Sequence, residues 1–146
     1  EAMGAFEVRV LRQQLARPTS DEATAMHLSR KRLVWVREVV LLCDEVPVVF
    51  AHSVLSTRPR GPMTRWFRCL GNRSLGALLF AHAGFRRSAI RFRPIDCRHP
   101  LFAIAVENMR LQATPPPRLW ARRSGFSFGW QSVLVTEIFN PCLYSH

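Results

Sequence analysis

The sequence predicts an α+β fold built on a single antiparallel β-sheet of five or six strands, with short helices between them. Three observations carry this. Two long apolar runs, 32–43 and 48–55, are joined by the turn residues Asp44-Glu45-Val46-Pro47, which reads as a hairpin. A third strong run, Ser132–Phe139, is stopped by Asn140-Pro141. The links between runs are mostly turns rather than the long crossover helices that a parallel sheet needs.

Taken in order, Phe6-Glu7-Val8-Arg9-Val10-Leu11 alternates with period two and predicts a first strand. Residues 13–30 are polar and read as a loop with a helical turn near Glu22–Met26. In Leu33–Cys43 nine of eleven residues are apolar, most of them β-branched or aromatic, so this is a buried strand. Met63 to Leu70 predicts a short helix ended by Gly71, and Ser74 is placed to cap a second one, with Leu75, Leu78 and Leu79 at helical spacing. A strand is expected over 86–93, its arginines facing solvent. Residues 94–119 carry the weakest pattern: Leu101–Met109 is apolar enough for a helix, and Pro115-Pro116-Pro117 is a stiff spacer. Trp120–Trp130 and Ser132–Phe139 form the last hairpin.

A length of 146 residues fits one domain over 1–146. The chain opens on Glu1-Ala2-Met3-Gly4 close to the first strand, as an N-terminally truncated product would. The net charge is +11, from 21 basic and 10 acidic residues, and Lys31 is the one lysine. Such a surface attracts nucleic acid, anionic membrane or anionic metabolites. The Arg58, Arg60, Arg65, Arg68 group with Trp66 and Phe67 resembles an RNA-binding surface in composition, without a nucleic-acid module. No apolar run reaches the roughly 18–20 residues that span a bilayer, so stable membrane insertion is not expected. Cys43, Cys69, Cys97 and Cys142 form no C-x-x-C pair; neither a zinc site nor a disulfide framework is indicated, and a cytoplasmic location fits. The five histidines have no spacing suited to a metal or a triad, and His52 reads as a satisfied core or edge histidine. Ser53 and Ser124 lack a nucleophile-elbow context.

Two charges break apolar strands. Side chains alternate across a strand, so Arg37 lies with Trp35, Val39 and Leu41, and Glu38 lies on the other face. Glu137 lies with Val133, Val135 and Phe139. A buried arginine or glutamate is costly unless it is paired. Either Arg37 and Glu137 form a structural ion pair, or each binds a different end of one small ligand, the guanidinium taking a carboxylate and the glutamate a hydroxyl. Arg122-Arg123 could clamp an anion, but adjacent arginines point to opposite faces. At most one faces a pocket, and the surface is the default for both.

Four ordered segments resemble bacterial chorismate lyases. They are Trp35-Val36-Arg37-Glu38-Val39-Val40-Leu41 with its following strand, Leu70-Gly71-Asn72-Arg73-Ser74-Leu75-Gly76-Ala77-Leu78-Leu79-Phe80, Leu119-Trp120-Ala121-Arg122-Arg123-Ser124, and Leu134-Val135-Thr136-Glu137-Ile138-Phe139-Asn140-Pro141. The resemblance implies a six-stranded antiparallel sheet with helical flaps sealing a ligand site. It implies a carbon–oxygen lyase that converts chorismate to 4-hydroxybenzoate and pyruvate, the first step towards ubiquinone. It also implies that no cofactor or metal is needed; a cytoplasmic monomer with no nucleic-acid partner is expected. By motif, Arg37 and Glu137 take the catalytic and substrate-binding positions, and Leu75 borders the ligand. Two departures stand out. Almost nothing precedes Phe6, where the family has a helical segment with a methionine near the ligand, and residues 81–119 are longer than in compact members. Two other readings compete: a non-catalytic aromatic-acid sensor of the same fold, as in effector domains of transcription regulators, and a nucleic-acid-binding module resting on charge.

Overall fold

The computed structural model describes residues 6–29, 31–56, 86–87, 90–128 and 131–144. Strand β1 (Phe6–Ala16) is followed by helix α1 (Ser20–Ala25), β2 (Val34–Cys43), β3 (Val46–Leu55), β4 (Arg86–Arg87), β5 (Arg91–Ile95), α2 (Phe102–Asn108), β6 (Leu119–Phe128), β7 (Gln131–Phe139) and a 3₁₀ turn, Pro141–Leu143. They form one antiparallel sheet in the order β1-β2-β3-β7-β6, with β4 and β5 both along the outer edge of β6. The seven strands therefore fill six positions across the sheet, as the α+β reading predicts.

The differences from the sequence pattern are local. β1 runs five residues past Leu11, through Arg12, Gln13 and Gln14, because pairing with β2 on one side outweighs their polar character. A bulge between Val10 and Arg12 absorbs the broken alternation. The β2–β3 turn is only Asp44-Glu45, both with positive φ (49° and 66°), the signature of a tight two-residue hairpin. Val46 and Pro47 belong to β3. Helix α1 begins at Ser20, earlier than expected, because Thr19 caps it: Thr19 Oγ1 accepts from Glu22 N at 3.1 Å and Glu22 Oε1 accepts from Thr19 N at 2.9 Å. The strand expected over 86–93 is two short pieces, and Arg91 and Arg93 are exposed. The helices expected at 63–70 and from Ser74, with Leu75, lie outside the described residues.

Residues paired across neighbouring strands share a face, and faces alternate along each strand. The pairing divides the sheet into a front bearing Arg37, Ser53, Val135 and Ser124, and a back bearing Glu38, His52, Thr136 and Arg123. Helix α2 covers the back: Phe102, Ala105, Val106 and Met109 pack on Val40, Phe50, Ile138 and Ala121. The larger of these side chains, valine to phenylalanine, each contribute about 1.5–3 kcal/mol by burial. Helix α1 lies on the same face, where Glu22 reaches His52. β3 is the spine, buried at every residue from Pro47 to Leu55. Among the described residues no helix packs on the front, where Val8, Val39 and Ala51 form the apolar floor.

Candidate active site

Arg37 sits on β2 with ladder partners on both sides, Gln13 of β1 and Ser53 of β3. It is only 1% exposed and is among the largest fully buried side chains. Burial pushes its pKa down to about 10, so it stays charged at neutral pH while having lost most of its hydration. A desolvated guanidinium fixed between two ladders suits a carboxylate.

Glu137 stands on the same face, opposite Ala51 of β3 and Arg122 of β6. Its ion-pair partner is Arg122: Nη2 lies 2.7 Å and Nε 2.8 Å from the same oxygen, Oε1. Arg122 in turn lies over the Phe139 ring at 5.6 Å. Glu137 is thus paired across β6 rather than with Arg37. The register puts the two site residues two strands and two positions apart. Strand spacing and rise make that roughly 12 Å between Cα atoms. A structural Arg37–Glu137 ion pair is therefore not the arrangement.

Arg122 is partly exposed and faces the front beside Glu137, while Arg123 faces the back and pairs with Asp21. The alternation of the two arginines is as the sequence implies; what it lacked was the cross-strand register that sets Arg122 opposite Glu137. Ser53 and Ser124, set aside as nucleophiles, are buried at 3% and 5% in the same lateral row as Arg37. They can serve there as hydroxyl donors.

Directly behind this site runs a second set of charges. Arg12, Glu38, His52, Thr136 and Arg123 form one lateral row across five strands, with α1 above it. Arg12 Nε donates to Glu38 Oε1 at 2.9 Å, Glu38 Oε2 lies 2.7 Å from His52 Nδ1, and His52 Nε2 lies 2.7 Å from Glu22 Oε2. Burial alone would lower the imidazole pKa, but the hydrogen bonds to Glu22 and Glu38 outweigh it and raise it to about 9. Burial likewise opposes ionisation of Glu22 and Glu38, and their bonds to His52 hold both below the usual carboxylate range. His52 is a buried core histidine held between two carboxylates, hydrogen-bonded through Nδ1 and ion-paired through Nε2, and cationic at neutral pH on the face opposite Arg37.

Leu75, the third residue assigned by motif, lies outside the described residues, as do Met3 and the Arg58–Arg68 group. A cleft of about 380 Å³ opens near the β6–β7 hairpin between Met26, His27, Arg86, Phe126, Val133 and Leu134. Its described lining includes neither Arg37 nor Glu137. Among the described residues, no helix is long and apolar enough to cross a membrane.

The model of the chorismate lyase family matches residues 1–146. The chain belongs to the chorismate lyase family. Within it, the chain is 49% identical over 142 residues to a protein of Dechloromonas aromatica (strain RCB) named "Probable chorismate pyruvate-lyase", covering 97% of this chain and 78% of the relative. It is 44% identical over 138 residues to the identically named protein of Nitrosospira multiformis, covering 94% and 75%. Among solved structures, this lyase-family chain superposes on the C-terminal domain of histidine utilization repressor from Pseudomonas syringae pv. tomato with a TM-score of 0.66 at 15% identity, covering 97% and 96%. It superposes on a GntR-family transcriptional regulator from Enterococcus faecalis V583 at 0.63 and 13%, covering 93% and 90%. At such identities these two likenesses speak for the fold alone.

Proposed function

We propose that this chain is a chorismate pyruvate-lyase that releases 4-hydroxybenzoate and pyruvate, as one cofactor-free, monomeric cytoplasmic domain at the entry to ubiquinone biosynthesis. The observation that carries the proposal is the separation of Arg37 and Glu137 on one face of the sheet, each held by its own neighbours. In chorismate the ring carboxylate and the ring hydroxyl lie at opposite ends of a six-membered ring. Arg37 takes the carboxylate and Glu137 accepts from the hydroxyl. The bond between ring carbon and enolpyruvyl oxygen breaks, and the neighbouring hydroxyl-bearing carbon gives up its proton. The C–H electron pair becomes ring double bond, the enolate leaves with the C–O pair, and a proton returns it to pyruvate. Aromatisation drives the step, so the protein's task is to hold one reactive conformer and exclude water. Leu75 borders the ring in this reading, and Glu137 serves first to position the hydroxyl.

Incubation with chorismate should yield 4-hydroxybenzoate and pyruvate in equal amounts; formation of neither overturns the proposal. The fold shared with regulators favours one other reading, a sensor of aromatic acids. Tight binding of 4-hydroxybenzoate with no chorismate turnover would select it.

A further inference from the structure

We propose that Arg122 is a positioning residue for the lyase reaction, pinning one oxygen of Glu137 so that the other is presented to the ring hydroxyl. This rests on the function proposed above and goes beyond it, since no role for Arg122 follows from the reaction itself. Both Arg122 contacts, Nη2 at 2.7 Å and Nε at 2.8 Å, fall on Oε1. Among the described residues no hydrogen bond or ion pair uses Oε2. A carboxylate held at one oxygen keeps its second as an acceptor and loses most of its rotational freedom. Arg122 is itself held, by the ring of Phe139 beneath it and by its place on the β6 ladder directly opposite Glu137. Phe139, Arg122 and Glu137 thus form a short supporting chain on the front of the sheet, at the opposite end of the site from Arg37. An isolated cross-strand ion pair would contribute little to stability. The single-oxygen geometry instead gives this pair a use in selecting a ligand with a hydroxyl at that end.

The test compares the affinities of 4-hydroxybenzoate and benzoate, which share the carboxylate for Arg37 and differ only in the hydroxyl. The wild-type chain should prefer 4-hydroxybenzoate by about 10- to 100-fold, the scale of one hydrogen bond to a charged acceptor. Arg122→Gln should remove most of that preference while leaving benzoate affinity within about threefold. In an Glu137→Gln background, Arg122→Gln should change the preference no further, because both act through the same oxygen. Arg122→Lys, which keeps the charge but not the planar fork, should give an intermediate preference and covers the case in which the glutamine variant does not fold. An undiminished preference in the folded arginine variants overturns the role, as does a further loss in the double variant or a parallel loss for both ligands. Wild-type turnover of chorismate is measured alongside. If it is absent, the lyase proposal fails; if it is present and Arg122→Gln still discriminates, only the positioning role fails.

Discussion

On the back of the sheet, Arg12, Glu38, His52 and Glu22 sit in contact with one another, each charge answered by the next at 2.7–2.9 Å. On the front, Arg37 and Glu137 stand two strands apart with an apolar floor between them. Neighbours in sequence supply the two sets: Arg37 and Glu38, Ser53 and His52, Glu137 and Thr136. Buried charge by itself therefore does not mark a site. A closed alternating chain of charges ties elements together, here α1, β1, β2 and β3. Opposite charges held apart on one face suit the proposed ligand, the guanidinium an acid group and the carboxylate a hydroxyl.

If the back set is a clamp, breaking it should cost stability. His52→Ala leaves Glu22 and Glu38 facing each other without their cation, and should lower the unfolding free energy by about 3–5 kcal/mol in urea titration. Below the melting transition the variant should keep turnover within about threefold of wild type, given no contact with ligand. If the front set is the site, Arg37→Ala should do the reverse. Turnover of chorismate should fall by about 100-fold or more, while far-UV circular dichroism still reports the folded sheet.

The pH response separates the faces further. The groups facing His52 are Glu22 of α1, Glu38 of β2 with Arg12 of β1 behind it, Thr136 of β7, and more distantly Asp21 with Arg123 and His99. The folded imidazole has its pKa raised from 6.5 to about 9. Its contribution is complete below pH 6.5, falls as pH rises, and is gone above about 9. Glu22 and Glu38 are shifted down, so their share is complete above about 4.5 and lost under acid. The urea midpoint should fall between pH 7 and 9, by on the order of 2–3 kcal/mol in stability. That slope should vanish in His52→Gln; a slope that survives the substitution would remove His52 as its source. The smallest effect is expected at the cap of α1. Thr19→Ala removes one bond of the capping box and should cost about 1 kcal/mol, read as a modest drop in melting temperature, with the preference for 4-hydroxybenzoate over benzoate unchanged.

Much of this comparison is written locally. Apolar alternation around Arg37 and Glu137 identified β2, β3 and β7 and set both residues on inward-facing positions, because period-two patterning is a property of each strand alone. The partner of Glu137 is not local. That Arg122 lies opposite it depends on the register of β6 against β7, set by a hairpin whose glycines and serines carry little pattern. The back clamp was hidden for the same reason. Glu22 and His52 are 30 positions apart, and their meeting depends on where α1 lands on the sheet. The Thr19-x-x-Glu22 capping box was the available sign of that helix, and Glu22, which completes it through Oε1, reaches His52 through Oε2. The second half of β1 is polar and persists only through its pairing with β2, so the pattern of β1 alone does not show its full length.

The most direct measurement is a crystal structure of the chain with 4-hydroxybenzoate bound. The carboxylate should lie within hydrogen-bond distance of the Arg37 guanidinium, and the hydroxyl should donate to Glu137 Oε2 with Arg122 still on Oε1. Density for the ligand away from Arg37, or with its hydroxyl directed away from Glu137, would contradict the account.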